Sequence, residues 1–209
     1  RIVLGDGTNA LTFTDTDKQV TFVTGLVAGT FYSLIRLTKQ TTLTLGAVST
    51  TATKTVYGGC SITNLESTYD DTTLIGSAGV SNDATTVLNL YGCTFDSPNK
   101  RGYIILLAGT VTAWHFIGSK VGFQQCTNIN NDYYDIFISK LNSHGFYMMQ
   151  GTMDKISVVD CTYGISAYQG YGFLVKNAIA SGNNYNSYMV AISADSYLIN
   201  PTFAAWTVY

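Results

Sequence analysis

The sequence of 209 residues predicts an all-β fold, a single-stranded parallel β-helix (β-solenoid). Its four cysteines are each followed by Ser or Thr and recur at nearly equal intervals, at positions 60, 93, 126 and 161. Such a fixed period indicates a repeat architecture, here of about six coils with roughly 33 residues and three short strands each. Thr alternates with β-branched and aromatic residues, which indicates half-buried strands. No window has a helical period with start and stop signals.

Residues 1–42 are predicted to form an atypical first coil or a set of junction strands. Strand-like alternation occurs at 11–14, 20–23 and 34–37, and this part has no cysteine. Residues 43–209 are predicted to form one continuous domain of β-helix repeats, which is a segment of a longer or assembled protein. Both ends of the chain resemble strands, and unpaired strand edges attract other strands. We therefore expect flanking domains or neighbouring subunits to cover them.

Within the repeat domain, each period divides into about three short strands. They are expected at 103–107, 114–117 and 121–123, then at 135–138, 145–149 and 155–159, and finally at 172–175, 188–192 and 197–203. The connectors are rich in Gly, Asn, Asp and Ser, which favour turns. A β-sandwich of many short strands is the alternative fold, but it does not explain the equal cysteine spacings.

Two short stretches of the sequence resemble the repeat of a known superfamily. Residues 160–165 (DCTYGI) and 91–95 (YGCTF) resemble the degenerate repeat of right-handed parallel β-helices, and the resemblance extends over roughly residues 43–203. That superfamily includes pectate-lyase-like enzymes, phage tailspikes and many surface proteins. Its usual coil is shorter, with twenty-odd residues, so the resemblance implies insertions in the turns. It implies a right-handed solenoid but no single activity, because this fold carries enzymes, adhesins and structural rods.

The four cysteines are predicted to form one structural column. Equivalent residues of successive coils stack about 4.8 Å apart, the spacing between neighbouring strands. A free cysteine behaves as a small apolar core residue. We therefore expect a buried, reduced column of Cys60, Cys93, Cys126 and Cys161. One or two disulfides, within the column or between subunits, are the alternative.

Composition restricts the location and the partners. Only 11% of residues are charged, compared with about 25% in ordinary domains, so hydroxyl and amide groups provide the polar surface. Secreted, virion and cell-surface β-proteins often have this composition. The net charge is −2 without a basic run, which predicts no nucleic-acid partner. No apolar run is long enough for direct membrane insertion. We expect an extracellular, cell-surface or virion location and no cofactor.

Paired carboxylates are the residues that a glycan-cleaving site would need. The chain has 12 Asp and one Glu, and two groups stand out. One is Asp70 with Asp71. The other is Asp132 with Asp135, which flank two tyrosines suited to stacking on sugars. Because Asp is favoured in turns, a structural role is the preferred interpretation. Asp132 and Asp135 remain a weak catalytic alternative.

Tyrosine is abundant, with 15 residues, and forms the second candidate feature. The densest group is Tyr163, Tyr168, Tyr171, Tyr185 and Tyr188. Stacking between strands explains such a group, and a contact face for carbohydrate or protein is the functional alternative. The two histidines, His115 and His144, have no Cys or acidic residue at ligand spacing, so the sequence predicts no metal site.

These features together predict a structural or surface module, such as a filament, sheath, virion appendage or cell-surface layer. We expect a homo-oligomer or polymer that assembles through the open ends of the β-helix or through flanking domains. The alternative is a tailspike-like glycan-binding or glycan-cleaving module with a surface glycan as its partner. An adhesin fragment that does not assemble is a third hypothesis. An enzyme is less favoured than a non-catalytic protein.

Overall fold

The computed structural model describes residues 2–4, 11–13, 18–22, 33–37, 41–50, 54–65, 71–76, 85–147, 150–168, 173–190, 197–199, 201–203 and 207–208. The described residues form strands and turns and contain no helix, so the prediction of an all-β fold is confirmed. The strands are β1 (Ile2–Leu4), β2 (Leu11–Phe13), β3 (Lys18–Phe22), β4 (Ser33–Leu37), β5 (Thr41–Leu45), β6 (Ala47–Thr50), β7 (Thr55–Gly58), β8 (Cys60–Asn64), β9 (Asp71–Gly76), β10 (Val87–Tyr91), β11 (Cys93–Asp96), β12 (Arg101–Ile105), β13 (Thr110–Ser119), β14 (Val121–Gln124), β15 (Asp132–Ser139), β16 (His144–Tyr147), β17 (Gly151–Val159), β18 (Tyr163–Tyr168), β19 (Phe173–Lys176), β20 (Ile179–Ser181), β21 (Tyr185–Val190), β22 (Tyr197–Ile199), β23 (Thr202–Phe203) and β24 (Thr207–Val208).

Parallel ladders join these strands into a β-solenoid, as the sequence predicts. One sheet has nine strands in the order β1-β4-β9-β12-β14-β16-β18-β21-β24, and a second has 13 strands. The second sheet bends, so that each coil has three sides. Side 1 contains β2, β5, β10, β19, β22 and the first halves of β13, β15 and β17. Side 2 contains β3, β8, β11, β20, β23 and the second halves of those three strands, and side 3 is the nine-stranded sheet.

Each regular turn of the solenoid uses roughly 20 residues, which is within the range of known repeat units. On side 1, Leu90 pairs with Ala113, Ala113 with Tyr133, Tyr133 with Met153, and Met153 with Val175. These pairs define about four regular turns. The longer coil predicted from the cysteine spacing, and the count of six coils derived from it, are not confirmed. Cys60 and Cys93 are register partners across one longer coil, whereas the later cysteines do not occupy an equivalent position, so the cysteine spacing does not give the length of the regular turns.

The segment predicted as an atypical first coil or junction contributes β1–β4 to the same two sheets. Ile2 pairs with Ile35 on side 3, and Phe13 pairs with Leu43 on side 1. The ladders therefore continue across the predicted boundary between residues 42 and 43.

The interior of the solenoid is apolar and includes a group of aromatic rings from all three sides. Phe116 on side 2 lies 5.0 Å from Phe123 on side 3, and Phe123 lies 5.1 Å from Tyr133 on side 1, measured between ring centroids. All three side chains are fully buried. Burial of such rings removes large apolar surfaces from water and stabilises the stack of coils.

The corners hold non-glycine residues in left-handed backbone conformations. His115, Asp135 and Lys155 have φ angles of 54°, 55° and 56° where side 1 meets side 2 on three consecutive coils. Lys120 and Lys140 have φ angles of 53° and 59° where side 2 meets side 3. This conformation is uncommon for such residues. At Lys120 and Lys140 the backbone N–H donates a hydrogen bond to a carbonyl of the neighbouring coil. The corners therefore arrange polar side chains in columns with a spacing of about 4.8 Å.

A two-stranded antiparallel hairpin, β6–β7, extends from one corner between sides 1 and 2. Its strands pair from Ala47 with Gly58 at the base to Thr50 with Thr55 at the far end. The solenoid ladder is preserved on both sides of the insertion, because Leu45 pairs with Leu90 and Cys60 pairs with Cys93. The hairpin therefore lengthens one coil without changing the register of the stack.

Candidate functional site

A cluster of aromatic rings lies where side 1 meets side 2, and we call it the aromatic face. Its members are Tyr57, Tyr91, Trp114, His115 and Tyr134. Trp114 is central, with ring centroids 6.5 Å from Tyr57, 6.1 Å from Tyr91 and 6.4 Å from Tyr134. The imidazole of His115 lies 3.9 Å from the Tyr57 ring. These rings are half-buried, so part of each remains available to a ligand.

Strand register explains why these rings lie together. Tyr91, Trp114 and Tyr134 are successive register partners on side 1. Each follows a fully buried residue, and alternate residues of a strand point to opposite faces. Their rings therefore form a column on the outer surface. Tyr57 reaches the same surface from β7 of the hairpin, which is an inserted element.

Both carboxylates of the predicted acid pair lie at the aromatic face. The Trp114 indole Nε1 donates a hydrogen bond of 3.1 Å to Oδ2 of Asp132. Asp135 contacts Nδ1 of His115 on the preceding coil through its carboxylate. Both acidic side chains are therefore tied to aromatic residues of the coil before them. The aromatic residues other than Tyr134 were not identified from the sequence, although Trp114 and Tyr134 are separated by the length of one coil.

A lysine completes the hydrogen-bonding groups of this face. Lys155 donates a hydrogen bond of 2.5 Å from Nζ to the Tyr134 hydroxyl, and its ammonium lies 4.8 Å from the centre of that ring. The hydrogen bond to Tyr134 is the main reason that the pKa of Lys155 is raised. Burial, followed by the nearby charges of Tyr134 and Asp135, raises the pKa of the Tyr57 phenol.

The aromatic face combines features that suit recognition of a saccharide. Its rings provide flat apolar surfaces, while carboxylates, phenols and an ammonium provide hydrogen-bond acceptors and donors. Burial, followed by the charge of Asp132, also raises the pKa of Tyr91, so this phenol keeps its proton at neutral pH. Asp132 and Asp135 both have side-chain partners at this face.

Two members of the predicted tyrosine group, Tyr163 and Tyr185, stack on each other on side 3. Tyr163 stacks on His144 at 4.2 Å and on Tyr185 at 4.9 Å, with interplanar angles of 10° and 12°. These three residues are register partners on consecutive coils. Tyr168 belongs to β18 and Tyr188 to β21. The fifth member of the predicted group, Tyr171, lies outside the described residues.

Stability is expected to decrease between pH 6.5 and about 4 because of His144. Burial, followed by the positive charge of Arg101, lowers the pKa of His144 from 6.5 to about 4. In that pH range the unfolded chain binds a proton at this imidazole and the folded chain does not, so acid favours unfolding. Urea unfolding should show this loss, and His144→Phe should reduce it because phenylalanine keeps a ring at this position without a titrating group. An identical pH dependence in both proteins contradicts this assignment.

The cysteines do not form one column, which corrects the prediction. Cys60 and Cys93 are register partners on side 2, but the next residue in that position is Phe116, as Thr94 pairs with Ile117. Cys126 follows β14 on side 3, and Cys161 follows the corner after β17. Core positions accept several residue types of similar apolar character, so the repeat of buried positions does not require a repeat of cysteine.

All four cysteines are free and buried. The Cys60 thiol hydrogen-bonds that of Cys93, and this contact, followed by burial, raises the pKa of Cys93. Burial raises the pKa of Cys126 and of Cys161 to about 11. Protonated thiols are poor nucleophiles and poor metal ligands, so these positions have the character of core residues.

The described ranges bring together no group of three or more His, Cys, Asp or Glu side chains suited to a metal ion. A helix with the length and hydropathy needed to cross a bilayer is not found in the same ranges. Comparison with protein-family models, with curated proteins and with solved structures gives no match to this chain.

Proposed function

We propose that this chain is a structural or surface module outside the cytoplasm, within a filament, sheath, virion appendage or cell-surface layer. The continuous parallel ladder with its apolar interior is the observation that supports this proposal. Each regular coil is hydrogen-bonded to the coils on both sides, which makes a stiff repeating unit. The low fraction of charged residues, 11%, supports an extracellular, cell-surface or virion location.

Assembly through the ends of the solenoid belongs to the same proposal. β24 pairs with β21, and β1 pairs with β4, at opposite ends of the nine-stranded sheet. A terminal strand offers backbone groups for pairing with another strand, and a head-to-tail contact between copies generates filaments or rings. The right-handed sense of the solenoid is also proposed, since parallel crossover connections are right-handed in about 98% of cases.

Sedimentation velocity and electron microscopy of the purified chain test assembly through the ends. We expect head-to-tail oligomers that increase with concentration. Thr207→Lys in β24 should reduce them, because a charged terminal strand resists pairing. Thr94→Lys at an exposed position of β11 is the matched control, and it should leave assembly unchanged. Dispersed monomers at every concentration, or equal effects of both substitutions, count against assembly through the ends.

A second candidate function is glycan binding at the aromatic face. The contact between Trp114 and Asp132, with tyrosines on both neighbouring coils, is the observation that favours it. In this function a sugar ring stacks on the indole or a phenol, and the carboxylates accept hydrogen bonds from its hydroxyls. Cleavage of the glycan through Asp132 and Asp135 is the less favoured form of the same proposal.

A glycan panel followed by calorimetry tests this candidate. Trp114→Ala is expected to weaken binding of a recognised glycan at least tenfold, or about 1.4 kcal/mol, since it removes the central ring. Tyr163→Ala on side 3 is the control and should have little effect. The opposite pattern assigns binding to the stacked tyrosines, and failure of every glycan to bind excludes both faces. Hydrolysis that disappears in Asp132→Asn or Asp135→Asn shows cleavage.

A further inference from the structure

A basic cleft lies where side 2 meets side 3, at a different corner from the aromatic face. Its volume is about 350 Å³. It is lined by Asn99, Lys100, Arg101, Lys120, Lys140 and Asn142. Four of the 11 Lys and Arg residues of the chain therefore line one cleft, and none of the described residues that line it is acidic. This concentration of positive charge stands out in a chain with a net charge of −2.

The solenoid register places two of these lysines at the same corner of adjacent coils. Ser119 and Ser139 are register partners, and the lysines that follow them, Lys120 and Lys140, occupy the same left-handed corner on consecutive coils. The backbone N–H of Lys120 donates to the Ser139 carbonyl at 2.8 Å, which fixes this arrangement. Like charges on directly adjacent strands repel. An anion bound between the two ammonium groups would relieve that repulsion.

Two hydrogen bonds connect the basic side chains across the coils. Arg101 donates from Nη1 to the Asn142 carbonyl at 2.8 Å, although the two residues are 41 positions apart. Lys120 donates from Nζ to the Pro98 carbonyl at 2.6 Å. These bonds hold a guanidinium and an ammonium at the corner.

Acidic residues flank the basic cleft at its two ends. Asp160 follows Lys140 in the same corner on the next coil, because their preceding residues pair. Asp71 is the backbone register partner of Arg101 on the coil before. Asp160 is not among the described residues that line the cleft. At the level of the backbone, the basic positions therefore lie between two acidic positions, which limits the length of a ligand that they can hold.

We propose that the basic cleft binds a sulfate or phosphate group, carried as a free ion or as an ester on a saccharide. Ammonium and guanidinium groups form strong charge-assisted hydrogen bonds to these oxyanions. The volume falls within the range of about 300–1,000 Å³ for small-ligand sites, so it accommodates an oxyanion together with part of its carrier. This site is separate from the aromatic face and does not depend on assembly of the solenoid.

Calorimetric titration of the folded chain with sodium sulfate, sodium phosphate and a sulfated disaccharide, all at one ionic strength, tests the proposal. Saturable binding of at least one of the three is expected. The double variant Lys120→Gln/Lys140→Gln should bind at least tenfold more weakly. The control Lys54→Gln/Lys176→Gln removes the same charge elsewhere and should stay within twofold of the original chain. The charge-preserving variant Lys120→Arg/Lys140→Arg should retain binding.

The outcomes separate the source of the oxyanion from the existence of the site. Equal affinity for sulfate or phosphate and for the disaccharide indicates a free ion, while tenfold tighter binding of the disaccharide indicates an ester. Circular dichroism and thermal melts establish that each variant is folded. Absence of saturable binding with all three ligands overturns the proposal. Equal loss of binding in both glutamine double variants also overturns it, since charge alone would then explain the effect.

Discussion

Replacing Phe123 with alanine is expected to lower the free energy of unfolding by about 3–5 kcal/mol, the usual cost of removing a buried aromatic ring. Phe123 is fully buried and contacts rings from each side of the solenoid. Its centroid lies 5.0 Å from Phe116, 5.1 Å from Tyr133 and 5.4 Å from Phe146, with Phe146 stacked on it at 11°. The alanine variant therefore loses contacts within its coil and with the next one.

Urea unfolding followed by tyrosine and tryptophan fluorescence measures this loss. Ile129→Ala is the control, because Ile129 is 66% exposed and its truncation removes little buried surface. We expect the control to change the free energy of unfolding by less than about 0.5 kcal/mol. A similar small change for Phe123→Ala would show that the three sides do not meet around this ring.

Asn131→Leu is expected to cost about 1–3 kcal/mol, because it leaves the buried backbone N–H of Val111 without its partner. The Cys126 carbonyl loses one hydrogen bond and keeps the one from the Gln150 backbone N–H. Asn131 is buried at the corner where side 3 leads back to side 1. Its Oδ1 accepts from the Val111 backbone N–H at 2.8 Å, and its Nδ2 donates to the Cys126 carbonyl at 2.9 Å. Leucine has a similar size but cannot make either hydrogen bond.

Two measurements distinguish this mechanism from simple repacking. The free energy of unfolding should fall, and the Val111 amide should exchange its hydrogen faster in the native state. Asn128→Leu is the matched control, since Oδ1 of Asn128 accepts one exposed hydrogen bond of 2.9 Å from the Asn130 amide. We expect this control to cost about 1 kcal/mol or less. Unchanged protection of Val111 in Asn131→Leu contradicts the proposed role.

The strand content and the parallel stacking could be predicted from the sequence, while the coil length could not. Alternation of apolar and polar residues shows directly which side chains enter the core. The cysteine spacing predicted too long a coil, because the residue type at an equivalent buried position changes from coil to coil. One such position on side 2 is filled in turn by Cys60, Cys93, Phe116, Ile136 and Ile156. A solenoid repeats the burial of a position rather than the residue type that fills it.

The candidate sites could be predicted only in part from the sequence. Asp132 and Asp135 could be predicted as a candidate pair together with Tyr134, because these residues lie within four consecutive positions of the sequence. Trp114 and Tyr57 could not be assigned to the same face without the register and the hairpin. The basic cleft could not be predicted from a local sequence pattern, since Lys120 and Lys140 are far apart in the sequence. Their separation acquires meaning only when it is known to equal the length of one coil.

The hairpin β6–β7 shows how this architecture tolerates inserted sequence. Its two ends leave and rejoin the solenoid side by side, with Leu45 and Cys60 both still in register with the following coil. A foreign peptide inserted between β6 and β7 would therefore extend outside the solenoid and leave the packing of the coils unchanged. Since Tyr57 near its base contacts His115, loops of different length or composition at this corner would change the surroundings of the aromatic face while the coils stay the same.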